Sequence, residues 1–173
     1  MAPVNPSRPQ PTATGADRGT ADLDLLQLDL QVCFAVHAAA RSFDRVYRRL
    51  LQDLGLTYPQ YLVMLTLWEH GEQPVKRLGE LLRLDSGTLS PLLKRLDAAG
   101  LVLRERSAQD ERSVIVRLTP EGVALRAAAE QVPRQIAAAS GLTAAKGREL
   151  RTSLEQLTAT LDLFGAAEPD AEG

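Results

Sequence analysis

One residue in the 173-residue chain offers nucleophilic sulfur chemistry: Cys33, in the stretch LQVCFAVHAAARSF. A lone thiol on an apolar helix can be a small buried hydrophobe, or it can react if it has thiolate character and access. The neighbouring sequence gives the second option little help. No Lys or Arg stands one helical turn away, and Arg41 is two turns on; His37, at i+4, can hydrogen-bond the sulfur. Tyr47 follows Cys33 by fourteen residues, close to four full turns, so both fall on one helix face. At that spacing they are about 21 Å apart. Contact then requires a second copy of the helix running antiparallel across a two-fold axis. The plainer reading of Tyr47 is an interface aromatic with its hydroxyl in water.

A second constellation lies in the middle of the chain. LDSGTLSPLLKRLDAAG reads as a break followed by a helix, with Leu89, Leu92, Leu93 and Leu96 as its apolar stripe. Ser86, Thr88, Ser90, Lys94 and Arg95 remain on the outer side. Small polar groups let a helix backbone come close to base edges in a major groove, and the two cations suit phosphates or guanine edges. Arg112 sits just past the tip of a following hairpin, where it can enter a narrow minor groove. Asp110, on the same side two residues earlier, can hold that guanidinium in place.

The charge distribution fits such a surface. The chain carries a formal net charge of −2, yet Lys76 to Arg117 holds nine basic and six acidic side chains, leaving that segment at +3. A basic middle in an acidic chain suits phosphate docking, although a mixed solvated face would count the same. With one Cys and two His, His37 and His70, no metal site is expected, and nothing requires a cofactor. The composition is that of a soluble globular protein, and no run is long enough to cross a bilayer. A single cysteine without an export signal points to a reducing cytoplasm.

These groups need elements to position them. Residues 1–20 are rich in Pro, Thr and Ser and are expected to be a disordered tail, as is the acidic end 166–173. Residues 21–165 form one domain. A long amphipathic helix is expected from Leu23 to Leu54, stopped by Gly55, and a second starts at Thr57-Tyr58-Pro59 and is buried on most sides. A short helix is expected around Val75 to Leu82. LVLRERS and RSVIVRLT alternate like the strands of a hairpin. Thr119, Pro120 and Glu121 open a helix that runs to about Ala139, and a last one reaches about Leu163, with Leu150, Leu154, Leu157 and Leu161 on one side. The fold class is mainly α: a winged helix-turn-helix DNA-binding domain between long terminal helices, about 23–54 and 119–163.

LDSGTLSPLLKRLDAAGLVLRERSAQDERSVIVRLTPEG resembles the winged core of the MarR regulators, and DERSVIVRLTPEG combines wing, second strand and next helix start. With LTYPQYLVMLTLWEHG, VKRLGELLRLDSGTLSPLLKRL and the cysteine of the first helix, the chain resembles the organic hydroperoxide resistance branch, one-cysteine type, over roughly Leu23 to Leu163. That resemblance implies a homodimer on a palindromic operator, with the long terminal helices as its dimerisation region, and a repressor that leaves DNA when its cysteine is oxidised by an organic hydroperoxide. It also implies that Tyr47 and Tyr58 of the partner subunit hydrogen-bond Cys33. Leu30, Phe34 and Val36 would line the peroxide site, although core packing is the plainer role for each. His37 departs from the aromatic or apolar residue expected at its place. The start of the proposed recognition helix is open on the residues alone: Pro91 favours Ser90 as cap, whereas the resemblance implies a start near Asp85.

With no second cysteine to resolve a sulfenic acid, a mixed disulfide with a small cellular thiol, a sulfenamide or over-oxidation must follow. A related regulator that answers a small aromatic ligand, with Cys33 inert, would share the DNA-binding residues. A thiol peroxidase fits poorly, because there is no CxxC, no second cysteine and no cation one turn from Cys33, so no enzyme is expected. A purely architectural DNA-binding protein would show weak sequence preference and no response to oxidant.

Overall fold

Leu23-to-Leu54 periodicity does not become one uninterrupted helix. In the computed structural model, which describes residues 25–106 and 113–167, a 3-10 turn at Leu28–Leu30 precedes α1 (Val32–Leu50), and a second such turn, Gln52–Leu54, follows it. Gln31 makes the break. Its backbone is extended, and its side-chain amide donates to the carbonyls of Leu25 at 2.6 Å and Gln27 at 3.2 Å. The chain divides into two units, 1–39 and 40–173, so α1 begins in the first and ends in the second.

The second unit holds the core. Helix α2 (Tyr58–His70) starts where the Thr57-Tyr58-Pro59 signal predicts: Gln60 Oε1 accepts from both the backbone N–H and the hydroxyl of Thr57, each at 2.9 Å. Tyr61, Val63, Met64 and Leu67 are buried on several sides of α2, as an all-round apolar helix requires. Helix α3 (Val75–Leu82) and helix α4 (Ser86–Ala98) pack on it through Leu78, Leu89, Leu93 and Leu96, all fully buried. Each such leucine contributes roughly 2 kcal/mol of apolar burial.

The expected hairpin is present as strand β2 (Val102–Arg106) and strand β3 (Val114–Leu118), antiparallel, with Val102 opposite Leu118 and Arg106 opposite Val114. A further strand was not expected. Strand β1 (Gln73–Pro74) pairs with Val116 and Ile115 of β3, giving the order β1-β3-β2. Its proline lies at the edge of the sheet, where a missing donor is tolerated.

The expected helix from Thr119 to Ala139 is two helices, α5 (Pro120–Ala129) and α6 (Gln131–Ser140). Pro133 is the cause: it has no N–H for the Ala129 carbonyl, and its ring crowds that turn. Helix α7 (Ala144–Ala167) completes the described chain. No described helix is long and apolar enough to cross a membrane.

Candidate nucleic-acid interface and thiol site

The competition between Asp85 and Ser90 for the cap of α4 is won by Asp85. One carboxylate oxygen accepts from the Thr88 backbone N–H at 2.9 Å and the other from the Thr88 hydroxyl at 2.8 Å. Those bonds hold the Asp85 carboxyl below its ordinary range. Pro91 sits inside the helix, its missing hydrogen bond falling opposite Gly87, which has no side chain to crowd the ring.

Leu89, Leu93 and Leu96 turn inward, and Ser86, Thr88, Lys94 and Arg95 are exposed. At about 100° per residue, Gly87, Pro91 and Lys94 occupy the middle of the exposed arc. Thr88 and Arg95 lie along one edge, Ser86 and Ser90 along the other. The centre is thus small enough for close approach to a groove floor. Two predicted residues behave differently from expectation. The Thr88 hydroxyl hydrogen is committed to Asp85, so toward DNA it can only accept, and Ser90 is half-buried against a cleft. Asp110 and Arg112 lie outside the described residues.

That cleft, of about 820 Å³, lies between α3, the start of α4 and the base of the wing. Arg104 enters it from β2, and its Nε is buried without a hydrogen-bond partner among the described residues. Sequence reading counted Arg104 only as a charge. Strand alternation was the available signal: Arg104 follows Val102 by two and so shares its inward side. The base of the wing is braced across the strands. Arg117 donates to Glu105 through Nη2 at 2.8 Å and Nε at 3.1 Å, which lowers the Glu105 carboxyl and raises the guanidinium.

Cys33 is exposed and is the second residue of α1. The helix start was expected some three turns earlier; the break at Gln31 instead brings the sulfur into the first turn, at the positive end of the helix dipole. Leu30, Phe34 and Val36 are 42%, 43% and 39% exposed, so core packing, the plainer reading of each, does not apply to them. His37 is exposed as well.

The two tyrosines expected at a sensing site are together, in the second unit. Tyr47 and Tyr58 stack with ring centroids 4.3 Å apart, and Tyr61 joins at 6.2 Å from Tyr47. Burial, with the neighbouring phenols, pushes Tyr47 up to about 12; burial and Asp44 raise Tyr58. Both therefore remain hydroxyl donors at neutral pH. No group of His, Cys, Asp and Glu among the described residues could hold a metal ion.

Known proteins share this fold. The transcriptional regulator SarA/Rot family matches residues 45–128. The organic hydroperoxide resistance transcriptional regulator of Bacillus subtilis is 44% identical over 138 residues, 80% of this chain and 94% of that protein. Reduced AbfR bound to DNA is 38% identical with a TM-score of 0.66, covering 78% of this chain and 94% of that one; AbfR, from Staphylococcus epidermidis, has also been solved overoxidised on DNA and with a disulfide formed. MarR of E. coli is 25% identical with a TM-score of 0.59, over 73% of this chain and 96% of that one. With its winged helix-turn-helix and its single cysteine, the chain belongs to the MarR family of DNA-binding transcriptional regulators, in the organic hydroperoxide resistance branch.

Proposed function

We propose that the protein is a homodimeric, cytoplasmic repressor that leaves a palindromic operator when Cys33 is oxidised by an organic hydroperoxide. The observation that carries this reading is the stacked pair Tyr47 and Tyr58, whose hydroxyls burial holds toward the protonated form; it is accompanied by one exposed thiol in the first turn of α1. The tyrosines of one subunit donate to the Cys33 sulfur of the other and favour its anionic form. The thiolate attacks the terminal oxygen of the peroxide and the O–O bond breaks; the sulfur keeps that hydroxyl as a sulfenic acid, and the leaving alkoxide takes up the proton released by the thiol and departs as the alcohol. Leu30, Phe34 and Val36 give that site an apolar wall suited to an organic peroxide.

A small cellular thiol then displaces water from the sulfenic acid and leaves a mixed disulfide, because the chain has no second cysteine. AbfR is seen overoxidised on DNA. That supports a bulky adduct, rather than added oxygens, as the releasing species here. The adduct disturbs the tyrosine contacts and shifts the two recognition helices from the half-site spacing near 34 Å. Each α4 reads its half-site with Ser86, Thr88, Ser90, Lys94 and Arg95, and Asp110 and Arg112 serve the wing tip. Long helices at the two ends form the dimerisation region, in keeping with the exposed Phe43, Leu150, Leu154 and Leu157.

Mobility shifts on the DNA upstream of its own gene test this, using wild type and Cys33→Ser with cumene hydroperoxide, with and without a small thiol. Wild type is expected to release DNA, most fully when thiol is present, and Cys33→Ser to stay bound. Release of Cys33→Ser by oxidant would sink the reading.

One observation favours a second reading. A cavity of about 420 Å³ under α7 is lined by Phe43, Leu142, Leu150 and Leu154, with Arg83 and Arg151 at its edge, a setting for a small aromatic acid. In that case Cys33 is inert, and Cys33→Ser still responds to the inducer.

A further inference from the structure

The joint between α3 and α4 is held on both sides. A Cβ on Gly79 would lie 2.9 Å from the Leu84 carbonyl oxygen, and the Leu84 N–H donates to the Gly79 carbonyl at 3.0 Å. On the far side Asp85 caps α4. Between them stands Arg83, with φ 53° and ψ 43°, the one non-glycine residue of positive φ among the described residues. Glycine or asparagine adopts that backbone with less steric penalty. Arginine supplies what neither can: its Nη1 donates to Asp162 Oδ2 at 2.6 Å, in the C-terminal half of α7 and 79 residues further along the chain.

We propose that Arg83 is a positioning residue for operator recognition, tying the α3–α4 joint to α7 and so fixing the direction in which α4 is presented. The inference rests on α4 being the recognition element. Because the Gly79 approach and the Asp85 cap stiffen the joint, a shift of Arg83 against α7 moves α4 as a body rather than bending a loop. The two side chains are 64% and 61% exposed, so the pair adds little to stability and acts on orientation. Its competitor is a direct phosphate contact, since Arg83 also lines the cleft that holds Ser86, Ser90 and Arg104. Asp162 separates the two roles. Without it, a phosphate-binding Arg83 is freed and binding holds or tightens, whereas a tie is lost and binding weakens.

The experiment is fluorescence anisotropy of the full-length, reduced protein on an operator fragment. The variants are Asp162→Asn, Arg83→Gly, their double, the swap Arg83→Asp with Asp162→Arg, and Arg95→Ala as a reference for recognition by α4. Each single tie variant is expected to weaken binding about threefold to thirtyfold. The double is no weaker than either single, the swap recovers most of the loss, and Arg83→Gly melts no lower than wild type. Binding by Asp162→Asn equal to or tighter than wild type overturns the tie, as does weakening explained by loss of the dimer in light scattering. If Arg95→Ala leaves affinity unchanged, the reading of α4 fails and the tie with it; if Arg95→Ala weakens binding and Asp162→Asn does not, the tie alone is wrong.

Discussion

The winged helix-turn-helix and the apolar faces of the terminal helices are finished to different degrees. In the first, the groups that set direction have partners within the chain: Asp85 with Thr88, Thr119 with Gly122 and Gly100, Trp68 with the Gly122 carbonyl, Glu105 with Arg117. In the second, Phe34, Val36 and Phe43 of α1 and Leu150, Leu154, Leu157 and Leu161 of α7 are exposed, and no residue of α1 is buried. A surface that reads DNA must be rigid before it meets its target, so local bonds complete it. A face completed by a second copy can report on how two copies are arranged, which is the property a switch requires.

The largest effect follows from that contrast. Leu154→Glu with Leu157→Glu places two charges on the α7 stripe, where both leucines are 39% exposed. The chain is expected to become monomeric by light scattering while its circular dichroism stays helical. Operator affinity should fall roughly a hundredfold or more, since each half-site must then bind alone. A variant that remains dimeric would remove α7 from the incomplete half of the molecule.

Gly122→Ala attacks the finished half. A Cβ there would lie 2.0 Å from the Leu101 carbonyl oxygen, a backbone atom that cannot swing aside, and Trp68 Nε1 donates to the Gly122 carbonyl at 2.9 Å. Overpacking of this kind costs about 3 kcal/mol. Chemical denaturation should show that loss, with the dimer retained at low temperature. An unchanged midpoint would mean that the α5 start is softer than its contacts indicate.

The same contrast separates what the sequence discloses from what it hides. Local chemistry is legible: the Thr57 start of α2, the alternation of β2 and β3, Thr119 with Pro120, and the place of α3. Elements without a period are not. Two residues of β1 carry no alternation, and the division between α5 and α6 rests on one proline in an otherwise continuous pattern. The start of α1 was hidden because Leu26 and Leu30 continue the apolar spacing across the break, and the interruption depends on a side-chain amide folding back. For the site, the face of α4 followed from periodicity. Its start at Asp85 and the choice of Tyr47 and Tyr58 as one site's tyrosines were implied by family resemblance, and their stacking was not foreseen, because cap competition and contacts between separate helices have no signature in spacing alone.

Thr119→Ala is a finer probe of the finished half. The hydroxyl accepts from the Gly122 N–H at 3.0 Å and donates to the Gly100 carbonyl at 2.6 Å, closing the sheet onto α5. Loss of such a cap costs about 1–2 kcal/mol. Thr119→Ser should recover most of it, measured by thermal melts of both variants; equal losses in the two would assign the effect to the methyl group.

The smallest effect lies where the two halves meet chemically, at the aromatic cluster. Tyr47 is raised from 10.0 to about 12 by burial and by its phenolic neighbours. A raised folded value means that the native state holds its proton after the unfolded chain has lost it. The stabilisation is thus complete below pH 10 and is lost as pH climbs through 12. Tyr47→Phe cannot titrate, so its denaturation midpoint should decline less steeply than wild type across that window while matching it near neutrality. Since the ring is half-buried and partly solvated, the difference will be modest. Parallel alkaline limbs in the two proteins would place the Tyr47 hydroxyl in water. It would then be a poor donor to a partner's thiolate, and the sensing role would shift toward Tyr58.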